Sequence, residues 1–136
     1  MREFSSIGQE GTFLDHVGGI EWSKDADQVH TRLKVRAEHV NPNGTTHGGL
    51  LLTLLDFTLG VEAERSLGDG LLGHPITIQL SSSMIGSATV GETVDGCARV
   101  TAQTRTMTFV TGELTVGERV LTTASAVFRN PRRSER

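Results

Sequence analysis

The residues from Asn41 to Asp56 carry the groups best suited to chemistry. Asn41-Pro42-Asn43-Gly44-Thr45-Thr46-His47-Gly48-Gly49 is a polar loop that runs into an apolar stretch, and Asp56 interrupts that stretch. A carboxylate among leucines is costly to bury unless it has a partner or a task. Two glycines at a helix start expose first-turn N–H groups that have no partner within the helix and lie at the positive end of its dipole. Such donors stabilise an oxyanion, and no side chain blocks a substrate's approach. Oxyanion donors together with a spaced carboxylate suit reaction at a carbonyl. Each half also has a plain structural reading: Gly48-Gly49 as a tight turn, Asp56 as a carboxylate satisfied at a subunit contact. His47 serves either as a hydrogen-bond donor to a substrate or as a residue that fixes the loop.

Geometry adds a condition. Asp56 lies eight residues beyond Gly48, about 12 Å along a helix at 1.5 Å per residue. One chain cannot easily bring both to one carbonyl. Two such helices lying antiparallel across a two-fold axis would set Asp56 of each subunit near the helix start of the other, so a catalytic reading requires a dimer.

The elements that must hold these groups are legible from periodicity. Leu50, Leu51, Leu54, Leu55, Thr58, Leu59 and Glu62 fall near helical spacing and predict one long helix over 49–66. Leu52, Phe57 and Val61 lie off that stripe, so the helix is apolar nearly all round and must be covered on most sides. Val29, Thr31, Leu33, Val35 and Ala37 alternate with polar residues, which predicts a half-buried strand, paired with 19–23 across a polar turn. Further strands are predicted at Ile76 to Met84, where Ile76, Ile78, Leu80, Ser82 and Met84 form one face, and at 94–104, 107–116 and 120–128. The last two are joined by the turn Gly117-Glu118. Five or six strands and one enclosed helix predict an α+β fold, a curved antiparallel sheet wrapped around a central helix.

Composition agrees. The 136 residues suit a single domain, and 36% apolar with 21% charged residues is ordinary for a globular protein. Seventeen Thr and twelve Val favour strands. The longest apolar run, from Leu50, is broken at Thr53 and ended by Asp56, far short of the ~20 residues that cross a bilayer. The start, Met1-Arg2-Glu3-Phe4-Ser5-Ser6, lacks the layout of a secretory signal, so no membrane association and a cytoplasmic location are expected. Cys97 is the only cysteine, which excludes an internal disulfide and a cysteine-based zinc site; it reads as a small buried hydrophobe. Arg129, Arg132, Arg133 and Arg136 oppose only Glu135 at the C-terminus, while residues 1–128 carry nine basic and fifteen acidic side chains. An acidic body with a basic end is a poor nucleic-acid binder. The end itself suits one phosphorylated ligand, or is a solubilising terminus.

The string Asn41…Gly44…His47-Gly48-Gly49…Asp56 closely resembles the PaaI-type branch of the hotdog-fold acyl-CoA thioesterases, and the resemblance runs from about Phe13 to Phe128. It implies a single hotdog domain over 1–136, with 1–12 and 129–136 peripheral. It implies dimers whose sheets join edge to edge, and tetramers built as dimers of dimers. The implied substrate is a small, medium or aromatic acyl-CoA; coenzyme A is part of that substrate, and no cofactor or metal is expected. By the same resemblance the Gly48 N–H, helped by Asn41, holds the thioester carbonyl. Asp56 from the facing subunit acts as general base or nucleophile, His47 positions the substrate near its sulfur, and Thr77 assists the water. Gly49, Ser87, Arg105 and Arg129 are the expected substrate contacts. Ser87-Ala88 departs from the Pro-Ala that relatives often carry beside the pantetheine. Glu62 and Glu64 read as helix-surface or interface carboxylates, with Glu62 a second candidate base. The acyl pocket is expected to depend on Leu51, Leu55, Phe57, Leu59 and strand residues packing across the partner. Two further readings remain open: a hotdog hydratase or dehydratase using His47 and Asp56, and a non-catalytic acyl-CoA-binding protein.

Overall fold

The computed structural model describes residues 2–134; Met1, Glu135 and Arg136, the last two part of the basic end, lie outside the described residues. Seven strands form one antiparallel sheet: β1 (Ser5–Ser6), β2 (Ile20–Lys24), β3 (Val29–Lys34), β4 (Ile76–Met84), β5 (Thr93–Gln103), β6 (Met107–Val116) and β7 (Arg119–Arg129), in the order β1-β2-β3-β5-β6-β7-β4. The short helix α1 (Phe13–Val17) and the long helix α2 (Gly48–Leu67) complete the fold. The pairing of β2 with β3 and the hairpin of β6 with β7 are those the alternation predicts. At that hairpin Gly117 takes a φ of 58°, which a turn of this kind needs and a glycine adopts without strain.

Helix α2 begins one residue before and ends one residue after the predicted span. Its buried residues, Leu51, Leu54, Leu55, Thr58, Leu59, Glu62 and Ala63, make one continuous stripe at helical spacing. The stripe lies close against β5 and β6 because two strand positions carry no side chain. A Cβ on Gly112 would stand 2.6 Å from the Cys97 carbonyl oxygen and 2.7 Å from Leu59 Cδ1, and one on Gly96 would collide with Thr31 Oγ1. There the Thr58 hydroxyl lies 2.7 Å from that of Thr31 and donates to the Leu54 carbonyl at 2.6 Å, satisfying two buried polar groups. Leu51, Leu55 and Leu59 are thus core residues at 2% exposure or less and do not line an acyl pocket. Of the four helix residues expected to shape one, only Phe57 remains half-exposed, with its ring edge-on to Trp22.

Strand β4 departs from expectation. Its alternation predicts one buried face, yet Ile76, Ile78 and Met84 are 64%, 48% and 46% exposed, and only Leu80 is half-buried. The physical reasons are position and register: β4 pairs with β7 alone, its other edge is open, and a bulge between Thr77 and Gln79 shifts the alternation. The termini close the two ends of the roll. Ile7 packs on the core beside β1. After β7 the chain turns back to the end of α2, where Arg133 donates to the carbonyls of Leu67 and Asp69. Among the described residues no helix is long and apolar enough to cross a membrane.

Candidate active site

The start of α2 is open. His47 is its N-cap, without a side-chain capping bond. The His47 N–H donates to the His39 carbonyl at 3.1 Å, and the Leu50 and Leu51 N–H groups donate to the His47 carbonyl. Between them, the N–H groups of Gly48 and Gly49 have no acceptor among the described residues, and both glycines are exposed. Two adjacent donors at the positive end of a twenty-residue helix therefore face outward. The His47 ring is exposed beside them, without a partner among the described residues.

Asn41 is half-buried at the root of the loop. Its Oδ1 accepts from the Asn43 N–H at 2.9 Å and from the Thr45 N–H and hydroxyl at 3.2 Å each. Those three donors fix which end of the amide is oxygen and leave the NH2 group free to donate. The loop is held from outside as well. Thr46 exchanges two bonds with Ala88, its N–H donating to the Ala88 carbonyl at 2.9 Å and its Oγ1 accepting the Ala88 N–H at 3.2 Å. Ser87, expected beside the substrate, is half-buried just before this anchor, and its carbonyl accepts from Arg119 at 3.2 Å. Buried His39 accepts the Arg36 N–H at Nδ1, so Nε2 carries the proton and donates to the Val17 carbonyl at 2.9 Å. Periodicity gives no hint of His39, because its partner Val17 is 22 residues away.

Asp56 sits half-buried on the side of α2 that faces β4. Its Oδ1 accepts the Thr77 hydroxyl at 2.7 Å, within the same chain, and Oδ2 has no donor among the described residues. Thr77, expected to act on the water, thus touches the carboxylate itself and fixes its rotamer. At the far end of β4, Met84 Cε lies 3.8 Å from where a Cβ on Gly48 would stand. The edge strand therefore runs from one group of candidate residues to the other. The structure joins Asn41, His47, Gly48 and Gly49 at the helix start, and Asp56 with Thr77 at mid-helix, and keeps the two groups apart.

The remaining candidates fall elsewhere. Arg105 lies in the β5–β6 turn, and Arg129 ends β7 between Ile76 and Met107. Arg105 shares a cleft with Leu67 at the C-terminal end of α2, whereas Arg129 directly follows Phe128, which pairs with Thr77 beside Asp56. Glu62 is not a surface carboxylate: it is 2% exposed, with Oε1 accepting the Val29 N–H at 2.9 Å and Oε2 accepting from Arg65 at 2.7 Å. Those bonds make it a structural anchor of β3. Glu64 pairs with exposed His74. Burial, with Glu113 and Asp95 adding to it, pushes the half-buried Cys97 thiol up and makes it a poor nucleophile.

The thioesterase superfamily model matches residues 43–123, which hold His47, Gly48, Asp56 and Thr77 and begin two residues after Asn41. The chain belongs to the thioesterase superfamily. A Pseudomonas aeruginosa protein that bears the name "putative esterase" is 33% identical over 130 residues, 94% of this chain and 95% of that protein. Human acyl-coenzyme A thioesterase 13 is 32% identical over 88 residues, 65% of this chain and 61% of that protein. Among solved structures, zebra fish thioesterase superfamily member 2 superposes with a TM-score of 0.78 at 25% identity, covering 89% of this chain and 88% of the other. A thioesterase-like phenylacetic acid degradation-related protein of Ralstonia eutropha superposes with a TM-score of 0.68 at 27% identity, covering 76% of each chain. The helix wrapped by a curved antiparallel sheet is the hotdog fold of this superfamily, and membership makes the chain a thioester hydrolase.

Proposed function

We propose that this thioester hydrolase cleaves an acyl-CoA to free acid and CoA, at a site assembled from two copies of the chain. The observation that carries the reading is the Asp56 carboxylate, held through one oxygen by Thr77 and free at the other, on a helix whose first N–H groups are also free. Support for the substrate class comes from the human relative's name and from a Bacillus halodurans protein of the same fold that was solved with CoA.

Hydrolysis of a thioester moves negative charge onto the carbonyl oxygen. The Gly48 N–H and the Asn41 NH2 supply donors for it without reorganisation, because loop and helix are already fixed. Asp56 Oδ2 takes a proton from water as that water attacks, or attacks the carbonyl carbon itself; Thr77 orients the carboxylate in either route. The thiolate leaves without needing a strong acid, and His47 stands where a ring N–H meets the sulfur. Gly49 leaves room for the substrate, and Ser87 borders its pantetheine. The dimer joins through the open edge of β4, and two dimers make the tetramer that the resemblance implies.

Release of free thiol from acyl-CoA, followed with a thiol reagent, tests the reading. Asp56→Asn keeps the Thr77 bond and the shape of the site but removes the base, so turnover falls by about 10²–10⁴ while the oligomer persists. Full activity in Asp56→Asn would overturn the assignment.

A further inference from the structure

The Gly48 N–H can serve an oxyanion only if its peptide plane is held still, and part of that hold comes from a histidine the mechanism does not use. The plane between His47 and Gly48 is set by the His47 backbone. On one side the His47 carbonyl accepts from the Leu50 and Leu51 N–H groups; on the other the His47 N–H donates to the His39 carbonyl at 3.1 Å. The His47 side chain adds no capping bond. The His39 carbonyl is therefore the last fixed point before the two free donors. His39 closes a single 3₁₀ turn, Ala37–His39, and is 4% exposed. Both of its ring nitrogens are engaged: Nδ1 accepts the Arg36 N–H at 3.0 Å, and Nε2 donates to the Val17 carbonyl at 2.9 Å. Val17 ends α1, and Leu14 and Val17 pack against the core, so the imidazole ties the turn to a fixed body. Accepting at one ring position while donating at another is a task for a neutral imidazole, and an apolar residue would release both ties.

We propose that His39 is a positioning residue for the hydrolysis: by anchoring its turn to α1 it aims the Gly48 N–H, which makes α1 part of the site's support. The inference rests on the reading of Gly48 as an oxyanion donor. At about 3 Å from a donor nitrogen, a tilt of about 20° moves the aim by about 1 Å, and misplacement of that size costs about 10²-fold in turnover. The tie to Val17 carries the effect, because the bond from the His39 N–H to the Arg36 carbonyl holds the turn together with or without the imidazole. Arg36 Nη2 also donates to the Val17 carbonyl, at 3.3 Å, so α1 keeps a partner when the imidazole is removed.

The test is acyl-CoA hydrolysis, with turnover counted per folded molecule and the folded fraction taken from urea denaturation. His39→Phe keeps the bulk of the ring and removes both ties. In that variant kcat and kcat/KM fall together by about 10–10², while KM stays within about twofold, the mark of a contact that matters only in the transition state. His39→Asn keeps an acceptor near Nδ1 but cannot reach Val17, and it shows the same split. His39→Gln, whose amide N–H reaches as far as Nε2, recovers turnover to within about threefold of wild type. A residue that only fills the core would shift the urea midpoint and leave kcat per folded molecule unchanged, and that result overturns the proposal. A Gln variant no better than the Phe variant, or failure of all three variants to fold, overturns it as well. If wild type hydrolyses no acyl-CoA, the oxyanion reading fails by itself, and amide nitrogen relaxation at Gly48 then judges His39. The expected order parameter is about 0.85 in wild type and below about 0.6 in His39→Asn, and equal values in the two proteins overturn the proposal.

Discussion

Two variants that are each inactive should restore one another when mixed. Asn41→Ala removes the side-chain donor at the helix start, which costs about 10²–10³ in turnover. Asp56→Ala removes the base, which costs about 10²–10⁴. Either homodimer is therefore left with about 1% of wild-type activity or less. In one chain Gly48, the backbone donor that Asn41 assists, stands about 12 Å from Asp56 along α2. A donor reaches about 3 Å and a base acting through one water about 6 Å from the reacting atoms, so each site must draw on both subunits. Random exchange puts half of the chains' pairings into mixed dimers, and each mixed dimer has one intact site and one site lacking both groups. Activity then rises to about a quarter of wild type, about 25-fold above either parent. The assay is thiol release after refolding the two variants together from urea, with dimer formation checked by sedimentation. Activity that stays at the parental level in a mixture shown to contain mixed dimers would refute the shared site, because it would place Asn41 and Asp56 of one chain on one substrate.

Glu62→Ala breaks a nearly buried ion pair and orphans the Val29 N–H, which costs about 3 kcal/mol in urea denaturation, the lower end for buried pairs because Arg65 keeps 19% of its side-chain exposure. Turnover per folded molecule stays at the wild-type level; a collapse of turnover without loss of stability would make Glu62 the base in place of Asp56. Stability should also fall in mild acid. Burial, with the Arg2 charge adding to it, holds the His30 imidazole below its usual range. As pH drops below about 6.5 the unfolded chain takes up that proton before the folded one does, so the stability contributed by neutral His30 is present above that pH and is lost toward the lower folded value. His30→Gln flattens this slope between pH 7 and pH 5, and an unchanged slope in that variant would refute the assignment.

The elements were legible because each obeys one strong period. Alternation at Val29–Lys34, Met107–Val116 and Arg119–Arg129 and helical spacing over Gly48–Leu67 agree with the strands and helix that form. The loop and the spaced Asp56 were legible as chemistry because a carboxylate among leucines and glycines at a helix start are locally improbable choices. What stayed hidden depends on distant partners. Glu62 reads as surface from its own helix, and only its contacts with Arg65 and the start of β3 place it in the core. Arg133 reads as one more charge in a basic tail until the fold sets it on the helix end 66 residues earlier. Leu51, Leu55 and Leu59 were indistinguishable from pocket residues, since period reports which face is apolar and not what covers it.

The same distinction bears on β4. A natural sheet protects its open edge with charge, proline or brevity. This edge has nine residues, Ile76 to Met84, with no charged side chain and no proline, a single bulge, and three exposed apolar side chains. Such an edge is suited to pairing with another strand, and a second copy of β4 has the matching composition. A two-fold pairing centred on Leu80 sets Thr77 opposite the partner's Ser83 and Ile76 opposite the partner's Met84. In each chain Thr77 holds Asp56 and Met84 Cε lies 3.8 Å from where a Cβ on Gly48 would stand, so in the proposed dimer this register would bring the carboxylate of one subunit toward the free N–H groups of the other. It would also pair the backbone groups that the single chain leaves open along this edge. Shifting the register by two residues moves each contact by about 7 Å, at the rise of a strand, and separates base from donors again. In the proposed dimer one strand would thus link the stability of the assembly to the geometry of its site, and the open edge of β4 and the divided active site would be one problem with one solution.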